Sequence, residues 1–349
     1  MKKIALFVLL VTLLASCGGS SQKTASVKIS GAGATFPAPF YNIVFRDYAT
    51  ASGNEVTYGG IGSGGGIRSL KDKTVDFGAT DVFLSAKELS EMGAEVIHIP
   101  TALGAVVLSY NLKGVKDLKL TAGLISAIYR GKITNWNDER IKSLNPGANF
   151  PDKGITPVYR SDGSGTTAVF SEYMSKVNNE WKESIGEGKS LQFPTGVAAK
   201  GNPGVAGIIA ETEGAIGYIG SEYALALNIP SAMLQNSSGN FVKADSKNIS
   251  ASANVDIPGD TRVVITNSPN PEAYPVSTFT WIILYKEQQY NKRTEADARA
   301  LVDLLTHITG PNGQRIATKT YYAPLSTAAL EKTTEVINSI TYAGQPLSK

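Results

Sequence analysis

Residues 27–49 read Val27-Lys28-Ile29-Ser30-Gly31-Ala32-Gly33-Ala34-Thr35-Phe36-Pro37-Ala38-Pro39-Phe40-Tyr41-Asn42-Ile43-Val44-Phe45-Arg46-Asp47-Tyr48-Ala49, and they pass through three kinds of order. Val27 to Ser30 has the pattern of a β-strand, and the glycines at 31 and 33 punctuate it. From about Pro37 to Ala49, Phe40, Val44 and Tyr48 recur at a spacing that puts them on one face of a helix. Pro37 suits the first helical turn, where its missing N–H costs nothing. A strand running through a glycine turn into a helix is the unit of an α/β protein.

The alternation continues outward. Glu55 to Tyr58 reads as a strand, Gly59 to Gly66 as a glycine-rich turn before a short helix, and Val75 to Ala79 as the next strand. Ser85 with Glu88 three residues on has the form of a capping box. Val96 to Pro100 and Ala105 to Tyr110 are apolar runs typical of two buried strands, joined through Thr101 to Gly104. A helix is expected from about Gly165 to Val177, with Val169, Phe170, Tyr173, Met174 and Val177 at helical spacing, and Asn202-Pro203 marks another helix start. Ala215 to Ile219 and Thr278 to Tyr285 read as strands, and Thr294 to Thr309 and Thr327 to Ser339 as helices. Gln235 to Asp256, rich in Ser, Asn and Lys, reads as surface loop with short strands. There is no internal repeat.

A chain of 349 residues exceeds what one hydrophobic core usually organises, so two domains are expected. Its 35 glycines fall in short clusters without a period, so they act as local backbone devices. Lys2 and Lys3 precede an apolar run from Ile4 to Leu14 that is too short to span a bilayer comfortably. Leu14-Ala15-Ser16-Cys17 then resembles a bacterial lipobox, in which small residues fit the signal peptidase cleft and the thiol takes a diacylglycerol. Residues 1–16 are thus expected to be a lipoprotein signal peptide, Cys17 the lipidated residue and 17–26 a flexible tether. The alternative is a plain secretory signal with an incidental cysteine. Cys17 is the only cysteine, which excludes an internal disulfide. No later segment reads as transmembrane. Without Lys2 and Lys3, 31 basic residues face 30 acidic ones, a balance that argues against a nucleic-acid partner.

Three segments place small residues, hydroxyls and backbone N–H groups ahead of a helix: Gly31 to Pro37, Gly62-Ser63-Gly64-Gly65-Gly66, and Arg160-Ser161-Asp162-Gly163-Ser164-Gly165-Thr166-Thr167. Helix N-termini carry unpaired N–H groups and a partial positive charge, so they suit anions. Arg160 adds a full charge and a planar fork. Each segment alone is more often just a tight turn, with Asp162 or Ser164 as an N-cap and Arg160 a surface residue; together, with an arginine, they favour an anion site. Competing motifs fail. The third glycine of a dinucleotide fingerprint is Phe36, and the first glycine of a phosphate loop ending at Gly188-Lys189-Ser190 is Glu183. No serine sits in a nucleophile elbow. His98 and His307 have apolar neighbours and read as structural, and no cluster has zinc-ligand spacing. An enzyme working through His, thiol or a His-bound metal is disfavoured; a carboxylate-only hydrolase stays open.

The segments Gly31 to Pro39, Val75-Asp76-Phe77-Gly78-Ala79-Thr80-Asp81 and Asp162 to Thr166 resemble the phosphate-binding protein of the bacterial phosphate-specific transport system, the PstS family. The likeness continues through Gly131-Lys132-Ile133 with Trp136, Gly201-Asn202 and Gly214 to Tyr218, and is weakest over Ala224 to Asn270. The resemblance implies a two-domain type II periplasmic-binding-protein fold, α/β with a mixed central sheet in each domain and two hinge crossovers, near Pro100 to Ala102 and Tyr274 to Thr278. Domain I is then 27–100 with 277–349, and domain II is 101–276. It further implies a monomeric, non-enzymatic, extracytoplasmic phosphate receptor, in the periplasm or at the cell surface, lipid-anchored through Cys17. Such a receptor serves a membrane ABC permease and uses no cofactor or metal.

Carried over by the same resemblance, the phosphate ligands are Thr35, Phe36, Ser63 and Asp81 from one domain, and Arg160, Asp162, Ser164, Gly165 and Thr166 from the other. Asp162 is implied to brace Arg160, and Asp81 to accept a proton carried by phosphate. The family often has Ser where this chain has Gly64, but Ser63 is kept. Sulfate carries no proton, so it would face Asp81 as an unpaired like charge, a mismatch of roughly 1–3 kcal/mol or more. Three rivals remain: a phosphatase, a receptor for another oxyanion, and an adhesin or signalling receptor that uses the fold.

Overall fold

The computed structural model of the chain describes residues 26–347. The expected signal peptide, Cys17 and nearly all of the tether lie outside the described residues.

The opening segment forms strand β1 (Lys28–Gly33) and helix α1 (Ala38–Ser52). Phe40, Val44 and Tyr48 are buried as the spacing predicts, joined by Tyr41 and Phe45. The next elements are β2 (Glu55–Gly60), α2 (Ser63–Lys71), β3 (Phe77–Thr80), α3 (Ala86–Glu91) and β4 (Val96–Tyr110). After a helical stretch come β5 (Thr156–Arg160), α4 (Gly165–Val177), β6 (Val197–Ala199), α5 (Gly201–Glu211), β7 (Ala215–Gly220), α6 (Ser221–Ala226) and β8 (Ser277–Tyr285). Helices Glu295–Thr309, Pro311–Lys319 and Thr327–Asn338 close the chain. Ser85 makes the capping box of α3 with Glu88.

One mixed sheet runs β2-β1-β3-β8-β4-β7-β5-β6. β1, β2 and β3 are parallel, β8 is antiparallel to β3 and β4, β4 is antiparallel to β7, and β5, β6 and β7 are parallel. The expected break at Thr101 to Gly104 is corrected: β4 is one strand, buried throughout. It pairs with β8 through Ala105 and with β7 from Val106 on, so a single strand carries the chain between the two halves of the sheet. The register shifts opposite Thr280 and Trp281, next to Pro100, which has no N–H to give the ladder.

Two more expectations change. The expected turn at Gly59 to Gly66 ends at Gly62, and Ser63 to Gly66 are already helical. The stretch Gln235 to Asp256, expected as loop and short strands, also holds a helix (Ser246–Ser252), capped by the Asp245 side chain. The first half is cored by the rings of Phe36, Phe40, Tyr41, Phe45 and Phe77, the second by Tyr129, Phe170, Trp181 and Tyr218. His98 is structural: its Nε2 accepts the Leu84 N–H at 3.1 Å, and burial lowers its pKa to about 3. His307 pairs with Asp47 at 2.8 Å on the outer helices.

Candidate functional site

The strands of each half end toward the same cleft, and four helices begin there. Neither α1, α2 nor α5 has a side-chain N-cap, while Ser164 caps α4 by accepting the Thr167 N–H at 3.0 Å. Among the described residues the N–H groups of Thr35, Phe36, Ser63 and Thr166 have no protein acceptor. Three tyrosines hold the carbonyls beside the first of these. Tyr58 donates to Ala34 O at 2.6 Å, Tyr223 to Thr35 O at 2.6 Å and Tyr322 to Phe36 O at 2.5 Å. The first two carbonyls belong to the peptides whose other ends are the Thr35 and Phe36 N–H groups, so the tyrosines fix and polarise those donors. The Phe36 ring itself lies in the core, edge-on to Tyr322.

Arg160 ends β5 with its side chain 1% exposed. Asp162 grips one edge of the guanidinium, Nε to Oδ1 at 2.7 Å and Nη2 to Oδ2 at 2.5 Å, and takes the Gly201 N–H at 3.0 Å. Nη1 donates to Thr166 Oγ1 at 3.3 Å. Burial alone would raise the Asp162 pKa, but Arg160 and the Gly201 N–H outweigh it and hold the carboxyl below its usual range. A charge braced in this way keeps its fork aimed without a second anion competing for the ligand's place. Tyr218 supports the same corner, accepting the Arg160 N–H at 3.1 Å.

Asp81 follows β3 and is 1% exposed. Thr280 donates to Oδ1 at 2.9 Å, which leaves Oδ2 on the cleft side. A Cβ on Gly165 would stand 2.6 Å from that Oδ2 and 2.5 Å from Ser63 Oγ, so only glycine lets the α4 N-terminus approach this closely. Burial raises the Asp81 pKa to about 7, against the Thr280 hydrogen bond and the Arg160 charge. Glu222 is buried nearby with both oxygens unpartnered among the described residues, and burial pushes its pKa well above the carboxylate range. At neutral pH the cleft therefore holds many donors, one braced cation and one carboxyl able to act as proton acceptor.

All nine ligand residues expected from the resemblance are at this cleft, with different tasks. Gly165 gives its N–H to Ser63 Oγ at 3.1 Å, across the halves, and Gly64 gives its N–H to Gly163 O at 2.8 Å. Two residues at the centre were not among them. Asn202, 0% exposed, donates from N and Nδ2 to Thr35 Oγ1, both at 3.0 Å, and from Nδ2 to Thr166 Oγ1 at 3.1 Å. Tyr223 reaches Thr35 O from α6. The sequence signal for Asn202 is its place in Gly201-Asn202-Pro203; Tyr223 has none. Farther out, Lys189 meets Glu88 at 2.7 Å between the halves.

A family model described as a PBP superfamily domain matches residues 18–307. The phosphate-binding protein PstS of Xylella fastidiosa (strain 9a5c) is 42% identical over 311 residues, covering 88% of this chain and 84% of that protein. The chain belongs to the PstS family. The PstS of Pasteurella multocida (strain Pm70) is 37% identical, covering 88% of this chain and 89% of its own. Among solved structures, a high-affinity periplasmic phosphate-binding protein (PfluDING) bound with phosphate superposes with a TM-score of 0.70 at 23% identity, covering 92% of this chain and all of that one. The type II periplasmic-binding-protein fold expected for a PstS family member is the fold observed.

Proposed function

We propose that the chain is an extracytoplasmic receptor for inorganic phosphate that holds one phosphate between its halves and hands it to an ABC permease, with no chemistry on the ligand. One observation carries the reading: donors from both halves converge on a buried space that presents a single proton acceptor, Asp81. A partly protonated oxyanion fits that donor–acceptor count, and family membership points the same way. In this reading Thr35, Phe36, Ser63, Ser164 and Thr166 donate, Gly165 lets the α4 N-terminus come close, Arg160 supplies charge, Asp162 braces it and Asp81 accepts a hydrogen bond from the ligand's proton. A buried dianion is tolerable because fixed dipoles replace its water.

The hinge crossovers lie near Pro100 to Ala102, just before β4 changes partner, and near Tyr274 to Thr278, with 27–100 and 277–349 closing on 101–276. Hydrogen bonds between the halves through Thr35, Ser63 and Gly64 support this division. The mature chain works as a monomer, lipid-anchored through Cys17. Calorimetric titration with phosphate, sulfate and arsenate tests the reading. Stoichiometric phosphate binding with sulfate far weaker is expected; equal binding of sulfate refutes it.

A further inference from the structure

The hydrogen bonds around Asn202 close without remainder. Its Oδ1 accepts the Gly220 N–H at 3.0 Å, and because a backbone N–H can only donate, this fixes which end of the amide is which. The two Nδ2 protons then go to Thr35 Oγ1 and Thr166 Oγ1. Thr35 Oγ1 also takes the Asn202 backbone N–H, and Thr166 Oγ1 takes Arg160 Nη1. Each threonine oxygen has two lone pairs, and both are now filled. All that either hydroxyl has left is its own proton.

Resting on the phosphate reading, we propose that Asn202 is a specificity-determining positioning residue. By filling the lone pairs of Thr35 and Thr166 it makes both hydroxyls one-way donors, so the ligand oxygens facing them must carry no proton. Thr35 belongs to the first half and Asn202 and Thr166 to the second, so the constraint is complete only when the halves meet. Asp81 is the carboxyl offered to the ligand's first proton, and a second proton carried toward Thr35 or Thr166 finds no acceptor there. Such a proton would be buried against another donor, at a cost of roughly tenfold or more in affinity.

The titratable and charged groups facing this corner are Asp81 after β3, Arg160 and Asp162 at the end of β5, Tyr218 on β7, Glu222 and Tyr223 on α6, and Tyr58 on β2. All are retained when Asn202 is replaced. A change in the shape of the pH profile therefore reports on the hydroxyls.

The test measures phosphate affinity from pH 5.5 to 8.5 for the wild type, Asn202→Ala and Asn202→Asp. Asn202→Ala frees a lone pair on each threonine. It should bind about tenfold more weakly at pH 8 and close much of that gap at pH 5.5, where doubly protonated phosphate dominates and a freed oxygen accepts its second proton. Asn202→Asp keeps the acceptor for Gly220 but draws both hydroxyl protons toward itself. It should lose roughly a hundredfold at pH 8 while its melting temperature stays close to that of the wild type. Parallel profiles for wild type and Asn202→Ala, or Asn202→Asp within twofold of wild type, overturn the proposal. A wild type that binds no phosphate at any pH refutes the functional reading beneath it, a result visible before any variant is compared.

Discussion

Asp81→Asn tests the centre of the site twice over, once through stability and once through selectivity. The substitution keeps shape: Oδ1 still accepts from Thr280, so the new amide nitrogen takes the cleft-side position of Oδ2. In the folded chain the Asp81 pKa rises from 3.8 to about 7, with burial the largest cause. A raised carboxyl pKa means the folded state keeps a proton that the unfolded state has released. Stability from this group is fully present below the unfolded value and is lost as pH rises from there through about 7. Once Asp81 is ionised the cost is on the order of 4 kcal/mol at 1.36 kcal/mol per pKa step. Asn carries no such cost. Without phosphate the variant should melt several degrees higher than wild type at pH 8, and the difference should vanish toward pH 4.

With ligand the order reverses. The variant exchanges a charge-assisted hydrogen bond for a neutral one, so phosphate binding should weaken by roughly 1–2 kcal/mol, about five- to thirtyfold. Sulfate should bind better than it does to the wild type, because the amide donates to an unprotonated oxygen. Melting curves at pH 5 and 8, with and without each anion, together with calorimetry, read both effects. If the ligand-free stability difference is the same at both pH values, Asp81 does not titrate as the buried site requires. An unchanged phosphate-to-sulfate ratio would show that Asp81 is not the proton acceptor.

Further outcomes follow from other parts of the cleft. Arg160→Ala should weaken phosphate and sulfate together, by roughly a hundredfold, because it removes charge without touching the proton acceptor; a change confined to phosphate in calorimetry counts against the assigned role. Tyr223→Phe deletes only the O–H that reaches Thr35 O from the other half, so stopped-flow traces should show phosphate leaving about tenfold faster with little change in association. Glu88→Gln breaks the half-buried pair with Lys189 at a cost of about 1 kcal/mol, and scattering should show a more expanded ligand-free form that phosphate compacts; identical profiles refute a latch there. Cys17→Ser should move the protein from membranes to the soluble fraction with phosphate affinity unchanged, and its retention on washed membranes would sink the lipid anchor.

The parts of the fold that were legible in the sequence are those whose causes are local. A glycine turn ahead of an apolar helical face gives β1 and α1, and Ser85 with Glu88 gives the start of α3. The parts that were not legible depend on distant partners. The chain reads as two strands joined through Thr101 to Gly104, yet β4 is continuous because Ala102 to Ala105 keep pairing with β8 beyond the register shift next to Pro100. The helix Pro311–Lys319 was not among those expected, although Pro311 suits the first turn that it opens.

The same division runs through the site. Where donors gather is written in short segments, since unpaired N–H groups come with helix starts and close approach comes with glycine. Which way a hydroxyl points is set instead by what else donates to it, and for Thr35 that is Asn202, 167 residues away. Thr35 and Thr166 look in sequence like groups that can give or take a hydrogen bond. Only the fold, by filling their lone pairs, takes one option away. The kind of ligand is thus legible in the donors, while the protonation state it must have rests on a contact between the halves that no segment of the chain shows alone.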